Sequence, residues 1–181
     1  MSKIVVQLNA DRTLGGQLKV VNSSGAQQGF GFAALGKAAN NDAAAHGNPG
    51  ANQLFLFGDT PTGTYSIKTI TDGPYKGNTK SYGPNGVFKL DPVSGNAALA
   101  ETNGRIGILI HGGDLGPNAQ LRRTNGCLRM RNDEFLALKT LVQNLSISDP
   151  VDVLEVFENG TSADPSFNND TCGDGDPPPD F

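Results

Sequence analysis

Several familiar signposts are missing from this chain. Its opening, "MSKIVVQLNADRT", holds no apolar run of signal-peptide length: "KIVVQLN" passes at once into charged and polar residues. The expectation is that the chain encodes no visible Sec-type export signal, so that either a leader was removed or export follows another route. No window approaches the length of a membrane span, and no membrane partner is expected. With 14 Lys and Arg against 18 Asp and Glu, the net charge is −4 and the basic residues are scattered. Nucleic acid demands a broad basic face, so it is excluded as the main partner. Two cysteines cannot make a disulfide framework, and a Cys127–Cys172 bridge is not expected. C-x-x-C and H-E-x-x-H are both absent, and His46 and Cys172 fall in a loop and in the tail. Neither a metal nor any other cofactor is expected.

What is present suits a single domain. A chain of 181 residues can bury a core without staples, and its 24 glycines cluster in turn-like groups, which favours many short strands. "KIVVQLN" and "GQLKVVN" read as a hairpin across "ADRTLG", with "QQGFGFAAL" as a third strand. Residues 36–50 read as a surface loop. "NQLFLFG" and "GTYSIKTI" are strand candidates around "DTPTG", and "VFKL" is a short strand in the turn-rich stretch 72–95. "RIGILIHG" is a continuous apolar run that reads as a buried strand ending at His111. Phe135, Leu138, Leu141, Val142 and Leu145 recur at helical spacing behind Asp133 and Glu134, so residues 133–145 read as an amphipathic helix. "PVDVLEVFE" alternates as a last strand. The reading is mainly β with one or two short helices: a catalytic unit over 1–160, then an acidic, Pro- and Gly-rich tail over 161–181 with little to bury.

One of two histidines and one of two cysteines lie in "GILIHGGDLGPNAQLRRTNGCLRM", each beside a glycine. His111 stands where an apolar strand opens into a loop, and Cys127 sits between Gly126 and a coming helix. Such positions carry side chains into clefts, and glycine lets a substrate approach the backbone. A thiolate is an attacking species and an imidazole can take the thiol proton, so the two together suit nucleophilic catalysis. The "NGC" turn offers backbone N–H groups for an oxyanion. Asp114 is close in sequence to the imidazole, and a backbone carbonyl is the other candidate to orient it. Arg122, Arg123, Arg129 and Arg131 cluster beside the cysteine and suit a small anionic ligand such as a carboxylate. Histidine precedes cysteine in the chain, the reverse of papain-like enzymes.

These residues resemble the active-site signature of the L,D-transpeptidase (YkuD-type) catalytic domain. His111-Gly112 matches its first half, and Thr124, Gly126, Cys127, Leu128, Arg129 and Met130 match its second. "TPTGTYSI" and "RNDEFLALKTLV…PVDVLEVF" are similar to other parts of the same domain, so the resemblance spans roughly residues 3 to 158. Asn125 departs from it, standing where the family has histidine. The resemblance implies a β-sandwich without cofactor or metal. It implies a monomer acting on the tetrapeptide stems of bacterial peptidoglycan, in the periplasm or cell wall. It gives Cys127 as nucleophile, His111 as base, and the N–H groups of Gly126 and Cys127 as oxyanion hole. Arg129 would bind a stem carboxylate or brace the loop; Gly112, Tyr65, Tyr82, Thr124 and Asn125 would line the substrate cleft.

The acyl group would pass from a thioester to an amine, giving a cross-link or an exchanged stem, or to water, giving an L,D-carboxypeptidase. Two alternatives accompany this reading. The same chemistry could arm a type VI secretion effector, with an immunity protein as its partner in the producing cell. Fold without activity would leave a wall-binding domain. A thiol amidase acting on unrelated substrates is a fourth reading.

Overall fold

The computed structural model describes residues 1–159, so the acidic tail and Cys172 lie outside the described residues. Eight strands form one sheet: β1 (Ser2–Asn9), β2 (Gly16–Val21), β3 (Gln27–Ala34), β4 (Gly63–Ile70), β5 (Val87–Ser94), β6 (Leu109–His111), β7 (Leu128–Arg129) and β8 (Val151–Asn159). Their spatial order is β3-β2-β1-β8-β4-β5-β6-β7. The β1–β8 and β6–β7 pairs are parallel and the others antiparallel.

The two edges of this sheet meet. Leu35, just past β3, exchanges both backbone hydrogen bonds with Arg129 of β7, each at 2.9 Å. One curled sheet therefore faces itself across a shared interior, and this is the form the expected β-sandwich takes. Alternation sends Ile4, Val6 and Leu8 of β1 inward, where they join Leu18, Phe32, Tyr65, Phe88, Ile110, Leu128 and Leu154. Helix α4 (Asn132–Leu145) adds Phe135, Leu138 and Val142 to the same core, as its spacing predicted.

Three shorter helices accompany it: α1 (Asn40–Ala45), α2 (Thr79–Tyr82) and α3 (Asn96–Thr102). The described residues thus hold four α-helices rather than one or two. α1 lies inside the stretch expected as loop, and α3 is an Ala-rich segment that no strand or loop signal marked. Two strand expectations fail. "NQLFLFG" forms turns: Phe57 takes φ 59, and Phe55 and Leu56 are each half exposed. "RIGILIHG" is a strand only over Leu109–His111, because Gly107 at φ 81 breaks the run and turns Ile106 out to solvent.

Phe135 is buried and meets Phe88 edge-on at 5.5 Å between ring centroids. Phe135→Ala should cost about 3–5 kcal/mol by opening a cavity between helix and sheet. Urea unfolding followed by circular dichroism will show this as a lowered midpoint at unchanged slope.

Candidate active site

The pairing of β6 with β7 brings the two rare residues together. Ile110 stands level with Leu128 and His111 with Arg129. One step back, the same parallel register sets Cys127 beside Leu109. Side chains alternate across a sheet, so Ile110 and Leu128 face the core while Leu109, His111, Cys127 and Arg129 share the opposite face. Val87 joins that face through its pairing with His111. Cys127 packs against the small apolar cluster of Val87, Leu109 and Tyr82.

This second face is roofed by the chain between β4 and β5. Tyr82 of α2 meets the His111 ring edge-on at 5.1 Å, and Tyr75 meets Tyr82 at 5.2 Å. Arg129, 2% exposed, fixes the roof from beneath: its guanidinium donates to the backbone carbonyls of Ser81 (2.7 Å), Lys80 (3.3 Å) and Asp114 (2.6 Å). Lys139 of α4 ties the base of the roof, donating to Thr71 O, Asn85 O and Asp72 Oδ1. The loop leaving His111 is held by Asn132, whose Oδ1 accepts from the Gly113 N–H at 2.7 Å. A β-carbon at Gly112 would collide with that same oxygen, and one at Gly113 with the Arg129 guanidinium. Beyond this loop an open groove of about 570 Å³ runs between Asp114 and Asp133.

The cysteine turn is clamped from three sides. Thr124 Oγ1 donates to Cys127 O (2.9 Å) and accepts from the Gly126 N–H (3.0 Å). Thr60, of the "TPTG" stretch, donates through Oγ1 to Gly126 O at 2.8 Å. Arg12 in turn donates to Thr60 O. On the outer side Asn125 donates to Asp42 Oδ2 of α1 at 3.1 Å. Gly126 has φ 109, and its missing side chain leaves room for the Arg105 guanidinium, which a β-carbon would overlap.

His111 is 3% exposed. Its Nδ1 lies 2.7 Å from Gly112 O, and a carbonyl can only accept, so Nδ1 carries the proton and the Nε2 lone pair is the basic one. Burial, aided by Arg129, drives the imidazole pKa down to about 3, against the pull of the Gly112 and Ser81 backbone. Burial pushes the Cys127 thiol up to about 11, opposed by the Leu109 backbone, Arg105 and Arg129. Both groups rest uncharged, on the same face of the sheet and two residues apart in register.

The family described as YkuD, L,D-transpeptidase catalytic domain, matches residues 17–161. The chain belongs to the L,D-transpeptidase catalytic domain family. Comparison with curated proteins finds no match.

Within this L,D-transpeptidase domain the expected site residues divide by depth. His111, Cys127 and Tyr82 share one face of the sheet, with Gly112 and Gly126 beside them in the chain, while Asn125 turns to the outer side toward α1. Tyr65 is not among them: it is fully buried in the core, its hydroxyl spent on Pro61 O at 2.7 Å. Thr124 is buried too and turns its hydroxyl onto the cysteine turn rather than outward. Arg129 makes the contacts of a brace, donating to three backbone carbonyls, and is 2% exposed. The Gly126 N–H is committed to Thr124, which leaves the Cys127 N–H, without a hydrogen-bond acceptor among the described residues, as the amide open to an oxyanion. Sequence reasoning missed Thr60 as a clamp, Asn132 as the support of the His111 loop, and Arg105. No group of three metal-ligating side chains forms among the described residues, and no helix among them is long and apolar enough to cross a membrane.

Gly126→Ala should perturb the turn by both its φ and its overlap with Arg105. Expected is a loss of at least about 2 kcal/mol in stability, read by thermal unfolding. The depressed His111 pKa has a defined sign. Between about pH 6.5 and 3 the unfolded chain binds a proton that the folded chain refuses, so stability is full above that window and falls on acidification. His111→Gln should remove this part of the acid sensitivity, on the order of a few kcal/mol, measured as urea midpoints at pH 7 and pH 4.

Proposed function

We propose that this chain is a cysteine L,D-transpeptidase acting on tetrapeptide stems of peptidoglycan, and hence at the bacterial cell wall. The observation that carries the reading is the placement of Cys127 and His111 on one face of β6 and β7, with the imidazole tautomer set by Gly112 O. Cys127 Sγ attacks the carbonyl between the L-centre of the diamino acid and the terminal D-alanine. Its proton passes to His111 Nε2 during the attack, so that negative charge rests on the sulfur only transiently. The negative charge moves to the carbonyl oxygen, where the Cys127 N–H can receive it. Collapse breaks the C–N bond, and His111 returns the proton to the departing D-alanine amine.

The thioester then meets a second nucleophile, from which His111 takes a proton; the C–S bond breaks and His111 returns that proton to the Cys127 sulfur. An amine from a neighbouring stem gives a cross-link, a free D-amino acid gives an exchanged stem, and water gives a tripeptide. Tyr82 lies edge-on to the His111 ring and Tyr75 edge-on to Tyr82, an apolar surround that favours the amine over water.

Purified protein incubated with tetrapeptide-bearing fragments should release D-alanine and yield cross-linked or exchanged products by mass spectrometry. Cys127→Ala should yield none, and His111→Gln should lower the rate by about 10²–10⁴. Unchanged stems with the folded wild-type protein would sink the proposal. Tripeptide as the sole product would assign the carboxypeptidase reaction instead.

A further inference from the structure

Arg105 is 2% exposed, and its guanidinium lies against the Cα of Gly126, the residue before the nucleophile. It donates from Nη1 to Gln53 O and from Nη2 to Gly58 O. Its Nε, also buried, has no acceptor. No carboxylate lies within ion-pair distance of it among the described residues. Asp59 interacts with it only through space, and that carboxylate is already committed to Lys37 at 3.3 Å and to the Ala38 N–H at 2.7 Å. A buried cation without a counter-ion is costly, and two backbone carbonyls could have been satisfied by a neutral side chain. The structure around it is therefore arranged to keep a positive charge beside Cys127.

We infer that Arg105 is a positioning residue for the nucleophile: its uncompensated guanidinium fixes the Gly126–Cys127 turn and stabilises the negative charge that develops on Cys127 during reaction. The inference rests on the reading of Cys127 as nucleophile. Every charged or titratable group facing the pair bears on it. Around Arg105 these are Tyr65 on β4, Asp59, Arg12 and Cys127. Around Cys127 they are Arg105, Arg129, His111, Tyr65 and Tyr82. Tyr65 and Tyr82 are both pushed upward by burial and stay neutral near pH 8. Of the groups around Cys127, that leaves the two arginines as cations, and Arg129 is the one bound to the roof. Burial lowers the Arg105 pKa to about 10, so it holds its charge through neutral pH.

The test is the pH dependence of Cys127 alkylation by iodoacetamide, with Cys172→Ala throughout so that one thiol reports. Arg105→Gln should react roughly three- to tenfold more slowly at pH 8, with the thiol titrating at higher pH. Arg105→Lys, which keeps the charge and loses the fork, should recover most of the rate. Coincident profiles for the protein with Arg105 intact and the Arg105→Gln variant overturn the inference. So does a lysine variant that fails as badly as glutamine, since packing alone would then explain both. Should Arg105→Gln fail to fold, the protein with Arg105 intact is compared with glutathione for its iodoacetate-to-iodoacetamide rate ratio. A ratio above that of glutathione supports the positive field, and an equal or lower ratio overturns it. Stem turnover is assayed alongside. Loss of the charge effect with turnover intact refutes Arg105 alone, whereas an alkylation shift without any turnover refutes the transpeptidase reading alone.

Discussion

Arg129 is the residue through which the site holds together. Its backbone sets the register with His111 on one side and closes the sheet onto Leu35 on the other. Its side chain then reaches the carbonyls of Lys80, Ser81 and Asp114 and so suspends the roof over the imidazole. A guanidinium suits this task because its donors point in fixed directions within one plane, which a lysine ammonium cannot reproduce. The roof, the strand pair and the sheet closure are therefore one arrangement.

Burial and charge are balanced around the pair. Withdrawal from water favours the uncharged thiol and the uncharged imidazole, while two buried guanidiniums favour the thiolate. The balance leaves the ground state neutral and places positive charge where negative charge develops later, the condition under which fixed dipoles and charges accelerate a reaction. The glycines have local reasons. Gly126 admits Arg105, Gly112 admits Asn132, and Gly113 admits Arg129.

Much of this was legible beforehand. Short β-rich runs exposed β1, β2 and β4, alternation exposed β8, and helical spacing exposed α4 within one residue at its start. His111 and Cys127 stood out because they are rare and flanked by glycine. What escaped notice depended on contacts between distant segments. Nothing local in "TPTG" says that Thr60 binds the Gly126 carbonyl, and Asn132 reads as a helix start whether or not its amide reaches back to Gly113. Arg105 opens the apolar run read as a strand and carried no signal of its own, yet Gly107 bends that run and Arg105 is buried. "NQLFLFG" has the composition of a strand, but its carbonyls serve the Arg105 and Asn48 side chains instead of a neighbouring ladder.

The closure of the sheet by a two-residue strand carries a consequence for the order of assembly. β7 has no local partner in the chain: it is held by Leu35, far earlier in the sequence, and by β6 across a long loop. Loop-closure entropy makes such contacts late to form and early to open. The nucleophile is thus delivered beside its base only when the ring is complete, and a partly folded chain carries an ordinary, unpaired thiol. The bridge also occupies the edge of β7 at Arg129, so the step that creates the reactive pair also removes one site for edge-to-edge pairing.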